Sequence, residues 1–246
     1  MDKKETKVLI IIPAYNEEEN IAAVIEHLNS KILAGVFAEF SAVDYLIIND
    51  GSRDSTLEIC GAQNFCYLNL PINLGIGGAV QAGYMFAKRN GYDIAVQMDG
   101  DGQHDISYLN DMIAPLLEDK ADIVIGSRFL EKEGFQSSGI RRMGIKFLSF
   151  LIRLTTNRKI MDVTSGYRAV NKRFINIYVD DYPTDYPEPE AIVTAIMNKG
   201  RIMEVPVQMH AREGGSSSIT FGKSVYYMIK VTLAILVCRL SYGIRR

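Results

Sequence analysis

Short apolar runs alternate with helix-like segments through the first half of the chain, and the runs break off in acidic or polar clusters. Residues 7–12 form a continuous apolar strand pattern, with Asn16-Glu17 just beyond. Residues 17–29 have helical spacing, with Ile21, Val24, Ile25 and Leu28 on one face. A second apolar run, 43–48, ends in Asn49-Asp50-Gly51-Ser52, after which Asp54 or Ser55 can cap a helix. Further strands are predicted near 65–70, 94–98 and 122–125, and helices over 79–89 and 109–117. This alternation predicts an α/β fold with a mostly parallel central sheet. Ligands of such sheets bind beyond the carboxyl ends of the strands. Glu17, Asp50 and the pair Asp99 and Asp101 all fall at such ends. Each cluster alone reads as a turn or cap; together they point to one crevice.

The second half is less regular. Residues 181–189 read as a Pro-rich surface loop, followed by a helix at 191–198 and a strand at 202–207. No linker or repeat divides the 246 residues, so a single domain over 1–246 is expected. The net charge of −2 predicts no global attraction to nucleic acid. Cys60, Cys66 and Cys238 have no metal-site spacing and are expected to be buried small hydrophobes in a reducing cytoplasm. No apolar stretch is long enough to predict a transmembrane helix.

Asp99-Gly100-Asp101 follows an apolar strand directly. A turn at Gly100 lets two carboxylates approach one centre. Hard oxygen ligands with open positions suit Mg²⁺ or Mn²⁺, which complete their shell with water and substrate phosphate. Such an ion offsets charge on a departing diphosphate. His104, shortly after the pair, is expected to sit in a turn. Asn73-Leu74-Gly75-Ile76-Gly77-Gly78-Ala79 reads as a glycine-rich loop opening a helix, where backbone N–H groups can face an anion. It partly imitates a dinucleotide fingerprint, but Val80 stands where the third glycine belongs.

Ile12-Pro13-Ala14-Tyr15-Asn16-Glu17, Asn49-Asp50-Gly51-Ser52, Asn73-Leu74-Gly75 and Asp99-Gly100-Asp101 occur in this order. So arranged, the chain resembles family 2 glycosyltransferases of the GT-A fold. Gly100-Asp101-Gly102-Gln103-His104, Gly126-Ser127-Arg128-Phe129, Asp162-Val163-Thr164-Ser165-Gly166-Tyr167-Arg168 and Arg212-Glu213-Gly214-Gly215-Ser216 narrow the likeness to polyprenyl-phosphate (dolichyl-phosphate-like) sugar synthases, over roughly residues 6–220. The resemblance implies a nucleotide-sugar pocket of Pro13, Ala14, Tyr15, Glu17, Asp50, Gly77, Gly78, Asp99 and Arg212. It implies metal binding by Asp99, Asp101 and Gln103. Arg128 would hold a phosphate, and Arg212 with its Gly-Ser loop would close over the donor. Such loops often end Ser-Lys; here Ser217-Ser218 stand, so that cation is missing.

Two helices bear on the acceptor. Within 138–158, Arg142, Lys146 and Arg153 fall within about 40° of one another on an otherwise apolar helix. Residues 221–242 are apolar but interrupted by Lys230 and Arg239, and Arg245 and Arg246 end the chain. Both segments are expected to lie at an anionic membrane surface or to pack on a small membrane protein; core packing is the plainer alternative. A polyprenyl phosphate acceptor is already an anion and needs cations, for which Arg128, Arg142 and Arg168 are available. A saccharide hydroxyl needs a general base. Glu190 and Glu188 are the candidates; both precede a helix, where acids also make favourable first-turn charges, the plainer reading for Glu188. The expectation is inverting transfer of a hexose or N-acetylhexosamine from a UDP- or GDP-sugar to polyprenyl phosphate. The catalytic residues would be Asp101, Arg128 and Glu190, and the enzyme would sit at the cytoplasmic face of the plasma membrane. The alternatives are transfer to a saccharide hydroxyl and a non-catalytic subunit.

Overall fold

The computed structural model describes residues 2–131, 139–210 and 221–244. One seven-stranded sheet runs through it in the order β3-β2-β1-β4-β6-β5-β7. Its strands are β1 (Lys7–Ala14), β2 (Ala42–Asn49), β3 (Tyr67–Asn69), β4 (Ile94–Gln97), β5 (Ile123–Ser127), β6 (Arg168–Asn171) and β7 (Ile202–Pro206). All pairings are parallel except those of β6, which runs antiparallel to β4 and β5. The helices are α1 (Ile21–Leu33), α2 (Thr56–Ala62), α3 (Gly75–Arg89), α4 (Leu109–Leu117), α5 (Gly139–Thr156), α6 (Lys172–Asp180), α7 (Pro187–Met197) and α8 (Phe221–Ile244).

β1 is apolar on both faces because both faces are covered. Leu9 and Ile11 point into a core shared with α3, α5, α6, α7 and α8. Val8, Ile10 and Ile12 point into a second core shared with α1 and α4. From β1 the chain winds outward to β2 and β3 and returns to place β4 on the other side. The split between β1 and β4 is the switch point where an open α/β sheet leaves a crevice.

β6, a four-residue strand paired antiparallel between β4 and β5, and the helix α6 that follows it are not among the expected elements. Three expectations need correction. Helix α3 begins at Gly75, inside the segment read as a loop. Residues 181–189 are a surface loop only in part: Asp181, Thr184 and Asp185 are exposed, but Tyr182, Pro187 and Pro189 are buried, and α7 already starts at Pro187, where proline suits the first helical turn. Cys66 is exposed, Cys60 buried and Cys238 intermediate, and all three are free thiols.

Helices α5 and α8 have two apolar faces each. Ile145, Leu148 and Ile152 of α5, and Val231 and Ile235 of α8, enter the core. Opposite them Met143, Phe147, Phe150 and Leu154, and Tyr226, Ile229, Leu233, Val237 and Leu240, are exposed. The helices lie side by side: a β-carbon on Gly144 would stand 3.3 Å from the Met228 sulfur, and Arg239 Nε donates to the Thr155 carbonyl at 3.0 Å. Among the described residues no helix is long and apolar enough to cross a membrane.

Candidate active site

A cleft of about 380 Å³ opens at the carboxyl ends of β1, β2 and β4. Its walls are Pro13, Ala14, Tyr15 and Glu17 after β1, Asp50 after β2, and Asp99, Gly100 and Asp101 after β4. Asn73, Gly75, Ile76 and Ala79 from the start of α3 and Glu188 from the start of α7 complete it. The three acidic clusters therefore meet.

Local hydrogen bonds hold each wall. Asn16 adopts φ of +56°; its N–H donates to Ser52 Oγ at 3.0 Å, and its Oδ1 accepts from Arg53 N at 2.9 Å. The Glu17 N–H donates to Thr56 Oγ1, and its carboxylate accepts from Asn20 Nδ2 at 2.8 Å. Buried Asp50 accepts from the Leu74 N–H at 2.6 Å and so caps the positive end of α3. Burial raises its pKa, and the backbone N–H groups of Leu74 and Gly75 oppose that rise. Gly51, at φ +66°, permits this turn, since a β-carbon there would stand 2.9 Å from Asn73 N.

Asp99 is fixed from two sides. Its N–H donates to His104 Nδ1 at 2.9 Å, and the His104 ring, with its side chain 3% exposed, stacks on Tyr167 at 4.9 Å. His104 is thus a buried support for Asp99 rather than a loose turn residue. Asp101 Oδ1 accepts from the Gln103 N–H at 3.1 Å, so Gln103 shapes Asp101 through its backbone. Its side-chain amide reaches the His210 carbonyl at 3.4 Å, and Gln103 does not line the cleft. Two carboxylates in one crevice fit Mg²⁺ or Mn²⁺, which take one or two protein carboxylates together with substrate phosphate. Among the described residues no group of three His, Cys, Asp or Glu could hold an ion unaided.

The model of the family described as Glycosyl transferase family 2 matches residues 9–178. The chain belongs to that family. It is a glycosyltransferase. Among its relatives is the UDP-N-acetylglucosamine--dolichyl-phosphate N-acetylglucosaminyltransferase of Methanococcus voltae. That enzyme is 28% identical over 245 residues, covering 90% of this chain and 94% of the relative. The polyprenol monophosphomannose synthase of Mycolicibacterium smegmatis is 27% identical, covering 92% and 85%. The undecaprenyl-phosphate mannosyltransferase of Micrococcus luteus is 28% identical, covering 92% and 93%. Glucosyl-3-phosphoglycerate synthase from Mycobacterium tuberculosis, solved with Mn²⁺, UDP-glucose and phosphoglyceric acid, superposes with a TM-score of 0.71. It is 17% identical, over 96% of this chain and 79% of that one, and the likeness is one of GT-A fold.

Several residues of this glycosyltransferase stand elsewhere than expected. Gly77 and Gly78 are buried inside α3 and do not line the cleft. A β-carbon on Gly77 would stand 2.1 Å from the Pro183 carbonyl, and one on Gly78 2.5 Å from Leu74 Cβ. These glycines serve close packing, and Gly77 N donates to the Thr184 carbonyl at 3.1 Å. Arg128 is buried and spends its fork on Asp162: Nε–Oδ2 and Nη2–Oδ1 are both 2.7 Å, with Thr164 Oγ1 at 3.0 Å. Arg168 is buried and donates to the Ser165 carbonyl at 2.8 Å and the Val163 carbonyl at 3.3 Å. Neither is displayed as an open phosphate clamp; Arg142 is exposed on α5. Glu190 faces a second pocket with Asp181, Asp185 and Lys230, while Glu188 faces the cleft. Arg212, the loop after it, Arg245 and Arg246 lie outside the described residues.

Proposed function

We propose that the enzyme transfers a hexose or N-acetylhexosamine, with inversion, from a UDP- or GDP-sugar to a polyprenyl phosphate at the cytoplasmic face of a membrane. The observation that carries this reading is the double apolar face of α5 and α8. A chain with one carboxylate-lined cleft also exposes two adjacent apolar stripes, bordered on α5 by the exposed cations Arg142, Lys146 and Arg153. That pairing suits a water-borne donor and a membrane-borne anionic acceptor. The full-length relatives that act on dolichyl, polyprenol or undecaprenyl phosphate support it.

In this reading Pro13, Ala14, Tyr15, Glu17 and Asp50 receive the nucleoside. Asp99 and Asp101 hold a divalent ion against the donor diphosphate, with Gln103 positioning Asp101. A bound ion supplies charge stabilisation for the leaving nucleoside diphosphate. An acceptor phosphate oxygen attacks the anomeric carbon as the bond from that carbon to the diphosphate oxygen breaks. No proton has to be removed from the acceptor. The exposed cations on α5 hold the acceptor headgroup near the surface.

One observation favours a second reading, transfer to a saccharide hydroxyl. Glu188 is a carboxylate in the cleft whose pKa is raised by burial, against the pull of Arg168, and further by Asp99. A general base needs such a rise. The test incubates purified protein with Mn²⁺, short-chain polyprenyl phosphate and radiolabelled UDP- and GDP-sugars. Label entering the organic phase, and lost in Asp101→Ala, supports the lipid reading. Label moving only onto added oligosaccharide sinks it.

A further inference from the structure

The strand order gives the cleft a direction. Asp50 ends β2, residues 13–17 follow β1, Asp99 and Asp101 follow β4, and Gly166 precedes β6. Glu188 enters the cleft from α7, close enough to Asp99 to feel its charge. Its backbone is set by two buried prolines, Pro187 and Pro189, in the first turn of the helix. Arg168 lies near enough to favour its charged form, and Asp99 near enough to oppose it. A carboxylate so placed repels a diphosphate. The uncharged end of a nucleotide sugar is its pyranose, whose hydroxyls donate strong charge-assisted hydrogen bonds to carboxylates.

We infer that Glu188 accepts hydrogen bonds from hydroxyls of the donor's pyranose and is the sugar-selecting residue of the cleft. The inference rests on the nucleotide-sugar reading above and deepens it. It also gives a reason for the course of residues 182–187, which are anchored at buried Tyr182 and Pro187. That segment packs on α3 through Gly77 and delivers one carboxylate to the cleft.

Calorimetry with Mn²⁺ and no acceptor tests it. The ligands are UDP, GDP, their sugars and monodeoxy analogues of whichever sugar binds. The expected result is that Glu188→Ala keeps its affinity for the free nucleotide within about twofold. Affinity for the nucleotide sugar should fall by about tenfold or more, the range for a lost hydrogen bond to a charged group. Glu188→Gln should fall between. One monodeoxy donor should bind wild type and Glu188→Ala alike. Equal losses for nucleotide and nucleotide sugar, or no loss for either, overturn the inference. Unchanged donor binding with abolished transfer also overturns it and makes Glu188 a base for the acceptor. Wild-type protein that binds neither nucleotide removes the donor reading itself.

Discussion

The carboxylate of Asp99 rests against the α-carbon of Gly166: a β-carbon at position 166 would stand 2.9 Å from Oδ2 and 3.0 Å from Oδ1. Gly166 belongs to the loop before β6, whose backbone Glu204 pins by accepting from Met161 N and Asp162 N, both at 2.8 Å. The loop is thus a fixed floor beneath one of the two cleft carboxylates. Gly166→Ala should push the Asp99 carboxylate aside. That side chain is partly exposed and can swing, so the thermal midpoint should move little. Mn²⁺-dependent nucleotide binding should weaken by about tenfold, the equivalent of ~1.4 kcal/mol. Unchanged binding in calorimetry would show that Asp99 does not need this position.

The same loop is tied to β5 by Arg128 and Asp162, whose side chains are 8% and 0% exposed. Removing one member of such a pair strands the other charge in the interior, at a cost of about 3–5 kcal/mol. Arg128→Met should lose stability on that scale in urea unfolding. The double variant Arg128→Met with Asp162→Leu should recover part of it. A single variant within about 1 kcal/mol of wild type would return Arg128 to the acceptor site.

Glu188 makes a prediction in pH. Its pKa lies above the ordinary 4.5 in the folded protein, chiefly through burial. Between that ordinary value and the raised one, the folded state binds more protons than the unfolded state. Stability therefore falls as pH rises through this window, and the cost is complete above it. Glu188→Gln removes the charge. It should raise the thermal midpoint at pH 7.5, with the gain shrinking as pH falls towards 4.5. Midpoints that run parallel across this range would refute the linkage. A variant more stable yet weaker for the donor sugar is the trade-off expected where a charge is buried for binding.

The strands that flank the cleft were legible because β1 and β4, and the second half of β2, are buried and read as apolar runs. Asp50, Asp99 and Asp101 were legible for the same reason: each follows such a run. Glu188 and Glu190 were not separable. Two residues apart on a helix they point about 200° apart, and only the packing of α7 decides which one meets the cleft. Gly77 and Gly78 misled because a glycine under a crossing backbone and a glycine facing a phosphate look alike in one dimension. β6 escaped because its antiparallel place between β4 and β5 is a long-range pairing. Its residues, Arg168–Asn171, carry no alternation of their own.

The exposed faces of α5 and α8 set the last prediction. A core-packing helix needs one apolar stripe, and each of these carries a second one turned to solvent. Phe150 is 62% exposed, Leu154 71% and Leu240 66%. Moving a large apolar side chain from water into a lipid interface stabilises by roughly 1.5–3 kcal/mol. Phe150→Ser should thus weaken binding to vesicles of anionic lipid by about tenfold or more, and Phe150→Ser with Leu240→Ser should abolish it. Neither change touches the cleft, so calorimetric affinity for the nucleotide should be preserved. Arg142→Gln with Lys146→Gln should instead reduce the salt sensitivity of vesicle binding, since exposed charges act within a Debye length of about 10 Å at 0.1 M salt. Co-sedimentation with vesicles reads all three. Wild-type protein left in the supernatant at low salt would mean that these stripes do not meet lipid, and would direct attention to a protein partner for the same face.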